Sequence, residues 1–220
     1  MSRVSSGQLG RAQPLDTPDF YPSPPCAVAA LLAVEALPDL VWEPACGDGV
    51  IVREMRRKNK VIIASDLNDW GCAGAKTGVD FLMELKAPAG ATCIVTNPPY
   101  SLAEEFIRHG LTLVPKVVML LRLAFLEGKR WEKGFGAPLA RVHVFANRLP
   151  MMHRHGYDGA KVEGGMIAFA WFVWDREHQG AANIGWVNWR DHWTPEPIAV
   201  VARSVHPDQT SIFDVLEAAE

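Results

Sequence analysis

The chain has 220 residues, 49% of them hydrophobic and 21% charged, with a formal net charge of −3. That length and apolar content suit one folded domain with a real core and exclude a disordered chain. The charge excludes a wholesale polycation, so contact with nucleic acid has to come from a local basic patch.

Residues 1–16 are polar and Gly/Ser-rich and read as a loose arm, with no apolar core of the kind a secretory signal needs. We divide the chain into an arm (1–18), one α/β domain (19–193) and a tail (194–220). Asp19-Phe-Tyr-Pro-Ser-Pro-Pro25 precedes an apolar run from Cys26 to Leu37, expected as a helix with Ser23 as its cap and Pro24 in its first turn. Val41-Trp42 starts a short buried strand that ends in the turn Glu43-Pro-Ala-Cys-Gly-Asp-Gly49. A helix follows over residues 50–58, with basic residues toward its end as the macrodipole favours. Val61-Ile-Ile-Ala64 is a second strand, ending at Ser65-Asp66. Residues 68–79 are irregular and lead to Asp80-Phe81. Thr92–Thr96 is a third strand, closing at Asn97-Pro-Pro-Tyr100. A helix is expected over Leu102–Val114, then an apolar strand over Lys116–Leu121. Strands alternating with helices through short links predict an α/β fold with a mostly parallel, Rossmann-like sheet.

After Arg122 the pattern changes. Arg141–Ala146 reads as a short strand. Gly165–Trp174 and Asn183–Trp189 read as long apolar strands close enough in sequence to pair antiparallel, with Trp171, Trp174, Trp186 and Trp189 assigned to sheet packing. The longest apolar run, Met166–Trp174, has nine residues, against roughly 20 for a membrane helix. The four cysteines form no C-x-x-C pair and read as reduced thiols. A soluble, cytoplasmic protein of a bacterial or phage-infected cell is the expectation.

Ligands of parallel α/β sheets bind outside the carboxyl ends of the strands. Four clusters are expected there: Glu43–Gly49, Asp66, Asp80-Phe81 and Asn97–Tyr100. Together they suggest one elongated ligand. Gly47 and Gly49 allow close backbone approach, but the turn lacks both G-x-G-x-x-G and G-K-[ST]. Asp66, about 17 residues after the turn, suits a pair of ribose hydroxyls, although a capping aspartate would look the same. In Asn97-Pro98-Pro99-Tyr100 two prolines remove two amide donors and stiffen the backbone. The Asn97 side chain and a nearby carbonyl then offer two fixed acceptors, which match the two hydrogens of an exocyclic amine, and Tyr100 offers a flat surface to a base.

These residues resemble the class I S-adenosylmethionine-dependent methyltransferases, and within them the adenine-N6 DNA enzymes with an Asn-Pro-Pro-Tyr motif. The resemblance covers about residues 19–122. It implies that Glu43, Pro44, Ala45, Cys46 and Gly47 form the first cofactor motif. It also implies that Asp66 with Leu67 holds the ribose, Asp80 with Phe81 the adenine ring, and that Tyr21, Pro22 and Ser23 close over the methionine end. Asn97, Pro98, Pro99 and Tyr100 would be catalytic, with Asn97 also facing the cofactor. The implied reaction moves a methyl group from S-adenosylmethionine to the N6 amine of adenine in DNA. The opening Phe-Tyr-Pro-Ser-Pro looks like that of small methyltransferases carried by phages and prophages. Adenine in RNA, or a protein glutamine amide, presents the same two hydrogens. A catalytically inactive remnant that binds cofactor or nucleic acid is the remaining alternative.

Residues 122–161 hold eight Lys or Arg against three acidic residues. Arg122, Lys129, Arg130, Lys133, Arg141, Arg148 and Arg154, interleaved with Trp131, Phe135 and Tyr157, read as a nucleic-acid contact region. His153 and His155 lack the further ligands a metal needs, so no metal is expected. Gln209-Thr-Ser-Ile212-Phe213 resembles the pentapeptide by which bacterial replication proteins dock on the sliding clamp; a helix starting at Ser211, with Ile212 and Phe213 packed on the domain, is the other reading.

Overall fold

A computed structural model describes residues 21–132, 138–150 and 167–193. The arm, the tail with its clamp-like pentapeptide, and residues Lys133, Phe135, His153, Arg154, His155 and Tyr157 lie outside the described residues.

Helix α1 (Pro25–Val34) is followed by β1 (Leu40–Glu43), α2 (Val50–Arg57) and β2 (Val61–Ala64). Then come β3 (Cys93–Thr96), α3 (Ala103–Leu113), β4 (Lys116–Arg122) and the short α4 (Lys129–Glu132). Strands β5 (Leu139–Phe145), β6 (Phe169–Asp175) and β7 (Asn183–Val187) complete one sheet in the order β2-β1-β3-β4-β6-β5-β7. The first four strands are parallel, and β6 alone runs against its neighbours β4 and β5. The expected mostly parallel α/β sheet with a late antiparallel pair is therefore present, but the partner differs. Strand β6 pairs with β5 and not with β7, which lies beyond β5 and runs parallel to it. Strand β6 is buried along its length, with β4 and β5 on its two sides.

Period-2 alternation distributes the core over the two faces. Val118, Leu120, Trp171 and Val173 face one layer with α1 and α2. Val117, Met119, Leu121, Phe172 and Trp174 face the other with α3. In α3 a side chain on Gly110 would lie 3.1 Å from Val117 and 3.3 Å from Ile94, so the glycine sets how closely the helix approaches the sheet. Ser23 does not cap α1. Pro24 occupies the cap position without a side-chain bond and Pro25 the first turn, leaving Ser23 buried. Burial pushes the Cys26 and Cys93 thiols up to about 12, which makes both inert core groups.

Opposite the strand ends that carry the motifs lies a closed ionic cluster. Glu35, at the end of α1, accepts Lys116 Nζ at 2.6 Å and both Nε and Nη2 of Arg141 at 2.8 and 2.9 Å. His143 Nε2 lies 2.8 Å from its other oxygen, and Arg141 also reaches Asp175 at 3.3 Å. The cluster ties α1 to β4, β5 and β6. It also removes Arg141 from the expected nucleic-acid contacts, because its guanidinium fork is already matched by a carboxylate. Burial alone would raise the Glu35 pKa, but bonds from His143, Arg141 and Lys116 outweigh it and hold the carboxyl at about 2.

Glu35→Ala strands three donors beside one another and should destabilise the fold by about 3 kcal/mol in a denaturant titration at neutral pH. Because the folded pKa lies below the ordinary 4.5, the Glu35 contribution is present above that pH and is lost as the pH falls toward 2. The gap between wild type and variant should therefore narrow on acidification across that window; a gap constant with pH would contradict the ionic account.

Candidate functional site

The site follows from the chain's order through the sheet. From β1 the chain goes to β2 on one side, and later to β3 on the other. The loops leaving β1 and β3 therefore diverge and open a crevice between them. A cavity of about 590 Å³ lies there, within the usual range for small-molecule sites. Glu43 to Gly47, Asp66, Leu67, Asp80, Phe81 and Asn97 to Pro99 all line it, as do Tyr21 and Ser23. Of the residues the sequence nominated for cofactor or catalysis, Pro22 and Tyr100 alone are absent from the lining.

The first turn is organised by its backbone. Cys46 N–H bonds the Ser65 carbonyl at 3.1 Å, and Gly49 N–H closes on the Cys46 carbonyl at 2.8 Å. Gly49 has a φ of 79°, and a Cβ there would sit 2.5 Å from Cys72 Sγ. That glycine is thus required by the packing of Cys72 as well as by its backbone, whereas Gly47 borders the cavity.

Asp66 is not a helix cap. Its Oδ2 accepts Gly47 N–H at 2.9 Å and its Oδ1 accepts Asn68 N–H at 2.8 Å, so the carboxylate fixes two loops at the cavity wall. Each oxygen retains a further lone pair for a ligand hydroxyl. Asp80 and Phe81 reach the cavity without a preceding strand. A backbone bond from Val79 N–H to the Asp66 carbonyl (3.0 Å) holds that segment. Asp80 caps the short 3-10 turn Phe81–Met83, and the buried Phe81 ring packs edge-on against Trp42 and His109.

Three buried side-chain oxygens at the ends of β1 and β3 have no hydrogen-bond partner among the described residues, Glu43 Oε2, Thr96 Oγ1 and Asn97 Oδ1. Asn97 is oriented by its amide hydrogen, which donates to the Tyr21 carbonyl at 2.9 Å. A carbonyl can only accept, so the Asn97 oxygen must be the end turned away from it. The 3-10 turn Tyr100–Leu102 uses the Pro99 carbonyl for Leu102 N–H (2.9 Å). Tyr100 stacks on Tyr21 with centroids 5.6 Å apart, and the Arg122 guanidinium lies 5.0 Å from the Tyr100 ring centre. Its ring is therefore engaged by the N-terminal segment and by β4, and it also lies 6.0 Å from the Phe169 ring.

Glu43 is almost wholly buried. Desolvation first, then the Asp48 and Asp66 carboxylates, raise its pKa well above the usual carboxylate range against the pull of Arg53. Sequence reasoning missed Asn68, Trp70, Leu82, Leu102 and Phe106 as lining residues. Trp70 carried a signal, an aromatic residue in a glycine-rich polar loop. Leu102 and Phe106 looked like ordinary positions of a helix.

Among the basic residues, Arg122, Lys129 and Arg148 are exposed. Trp131 packs against Phe125 and donates its indole N–H to the Phe125 carbonyl at 2.8 Å, which gives it a structural place. Trp171, Trp174 and Trp189 are buried as expected, but Trp186 is 72% exposed. Among the described residues no group of three His, Cys, Asp or Glu is placed to hold a metal, and no helix is long and apolar enough to cross a membrane.

Glu43→Gln keeps the shape of the side chain and removes its ability to ionise. The raised folded pKa means that Glu43 is neutral to stability below about pH 4.5 and costs the fold increasingly as the unfolded chain ionises above it. Thermal melts across pH should show the variant more stable than wild type at neutral pH, on the order of 1 kcal/mol, with the difference vanishing in acid. A variant less stable at neutral pH would refute the assignment of Glu43 as an unpartnered buried carboxyl.

No protein-family model matches the sequence, and no curated protein matches it. Among solved structures, the chain is similar to the 23S rRNA methyltransferase ErmE at 16% identity and a TM-score of 0.47, over 72% of this chain and 70% of that one. It is similar to an S-adenosylmethionine-dependent O-methyltransferase from Thermotoga maritima at 9% identity and 0.47, over 70% and 65%. It is also similar to the methyltransferase subunit of a type I restriction-modification system from Streptococcus thermophilus at 14% and 0.45, over 72% and 45%. The chain thus spans less than two thirds of the length of two of these three proteins. Likeness at this level fixes neither a substrate nor the roles of residues.

Proposed function

We propose that the protein transfers a methyl group from S-adenosylmethionine to the exocyclic N6 amine of adenine in DNA. The observation that carries the reading is the buried, unpartnered Asn97 Oδ1 at the end of β3, held in place by the bond from its own amide to Tyr21. Asn97 lines the cavity, and a buried acceptor that no protein group satisfies is a place for a donor from a ligand.

The residues around the cavity fit the cofactor. A cationic group is the natural partner for Glu43 Oε2, since a cation lowers the cost of ionising a buried carboxyl. Asp66 takes the ribose hydroxyls and, with Leu67, borders the sugar. Asp80 and Phe81 hold the adenine ring, Pro44 to Gly47 supply backbone along the ligand, and Tyr21 to Ser23 close the methionine end. When bound, S-adenosylmethionine supplies an activated methyl group on a sulfonium centre.

The chain's own part is to place the amine. Asn97 Oδ1 and the Pro98 carbonyl accept its two hydrogens, which turns the nitrogen lone pair toward the methyl group. The same two acceptors would stabilise the positive charge that develops on this nitrogen as it is methylated. The proton then leaves to solvent. Pro99 stiffens the motif, and Tyr100 positions it through its stack on Tyr21. In a duplex the base has to leave the stack to reach the site. Arg122, Lys129, Arg130, Lys133, Arg148 and Arg154 are assigned to the nucleic-acid backbone.

The test is transfer of a labelled methyl group to DNA, RNA and protein pools, followed by identification of the modified residue. Methyladenine in DNA is expected; label confined to RNA or to protein glutamine would overturn the substrate. Asn97→Ala should lower turnover about 10²–10³-fold while cofactor affinity by calorimetry changes only a few-fold. Full activity in that variant would remove Asn97 from the mechanism.

A further inference from the structure

A second depression, of about 790 Å³, adjoins the end of β4 and is bounded by Arg122, Arg148, Ile167, Ile184, Trp186 and Glu127 among others. Ile184 and Trp186 alternate along β7 and so share one face, on which they are 52% and 72% exposed. Ile167 is 43% exposed beside them. Trp186 lies opposite Val144 in the β5–β7 ladder, so the strand position of the indole is fixed. An exposed tryptophan with two exposed isoleucines beside it forms a contiguous apolar patch that a partner can cover.

Two features say what covers it. Arg122 and Arg148 stand at this surface, and among the described residues neither guanidinium is paired with a carboxylate. Glu127 is the one carboxylate named at the rim, so the balance favours an anion. The surface also lies beside the Asn-Pro-Pro-Tyr motif, because the Arg122 guanidinium lies over the ring of Tyr100, its last residue. Two copies of the chain meeting here would bring like charges together, which disfavours self-association.

The geometry points to a subsite for one unpaired nucleotide flanking the target, with its base against Trp186 and its phosphates between Arg122 and Arg148. The inference rests on the nucleic-acid reading above and deepens it. An indole face and two guanidiniums recognise a base face and a phosphate and do not read base identity. A base offers its face only when unstacked, so the groove selects single-stranded or locally opened nucleic acid over intact duplex.

The experiment measures binding of a fluorescein-labelled dT12 single strand to the full chain by anisotropy across a salt series. The probe contains no adenine, so the result does not depend on methyl transfer. Trp186→Ala should weaken binding about tenfold, and Trp186→Phe should restore most of it. Arg148→Ala should reduce the slope of log affinity against log salt by about one. Melting curves on the same samples establish that the variants are folded, which the exposure of both side chains favours. Unchanged affinity in both alanine variants overturns the subsite, as does intact duplex dT12·dA12 binding as tightly as the single strand. A concentration-dependent dimer that dissociates on Trp186→Ala also overturns it, in favour of a protein partner. If dT12 binding depends on Trp186 and no methyladenine forms, the groove stands and the proposed reaction falls. If methyladenine forms and Trp186 is dispensable, the reverse holds.

Discussion

The position of β1 inside the sheet, between β2 and β3, is the constraint on which the rest depends. The chain begins its sheet one strand in from the edge, adds β2 on the outside, and has to cross back to add β3 on the other side. Two loops therefore leave neighbouring strands in opposite directions, and the space between them cannot be filled by either. Glu43 ends β1, Thr96 ends β3 and Asn97 follows it, and each of the three carries a buried oxygen with no partner among the described residues.

The opposite edge of the sheet has the contrary character. There Glu35 meets Lys116, Arg141 and His143, and all its lone pairs are matched. Burying charge is tolerable in that place because the geometry is complete. The molecule thus separates a closed ionic cluster that fastens α1 to the late strands from buried oxygens at the other strand ends that no described group pairs. The late strands share in this division. Strand β6, buried on both faces, holds the two core layers together, while β7 at the edge leaves Ile184 and Trp186 to solvent.

The engagement of Tyr100 shows how the motif acts as a unit. Its ring joins Tyr21 from the N-terminal segment and Arg122 from β4, while Asn97 binds the backbone of the same Tyr21. The segment before α1 and the end of β3 are consequently one structure, although 76 residues separate Tyr21 from Asn97. A motif read only along the chain gives Tyr100 a ligand to stack on. In the fold it has three protein partners, Tyr21, Arg122 and Phe169.

The sequence by itself determined the alternation of strands and helices, the parallel sheet, and the clustering of Glu43, Asp66 and Asn97 at one edge. Those features depend on local periodicity and on short links, which are written along the chain. It also marked the small and proline residues of the two turns, whose backbone demands are local. What tertiary structure decided was every choice among distant partners. Whether Arg141 meets a phosphate or Glu35, and whether Trp186 is core or surface, depends on which residues the sheet order brings beside it. Charge, aromaticity and strand propensity are the same in either outcome, so composition and spacing could not choose between them; only the three-dimensional neighbours, and the free energy of burying each group among them, could.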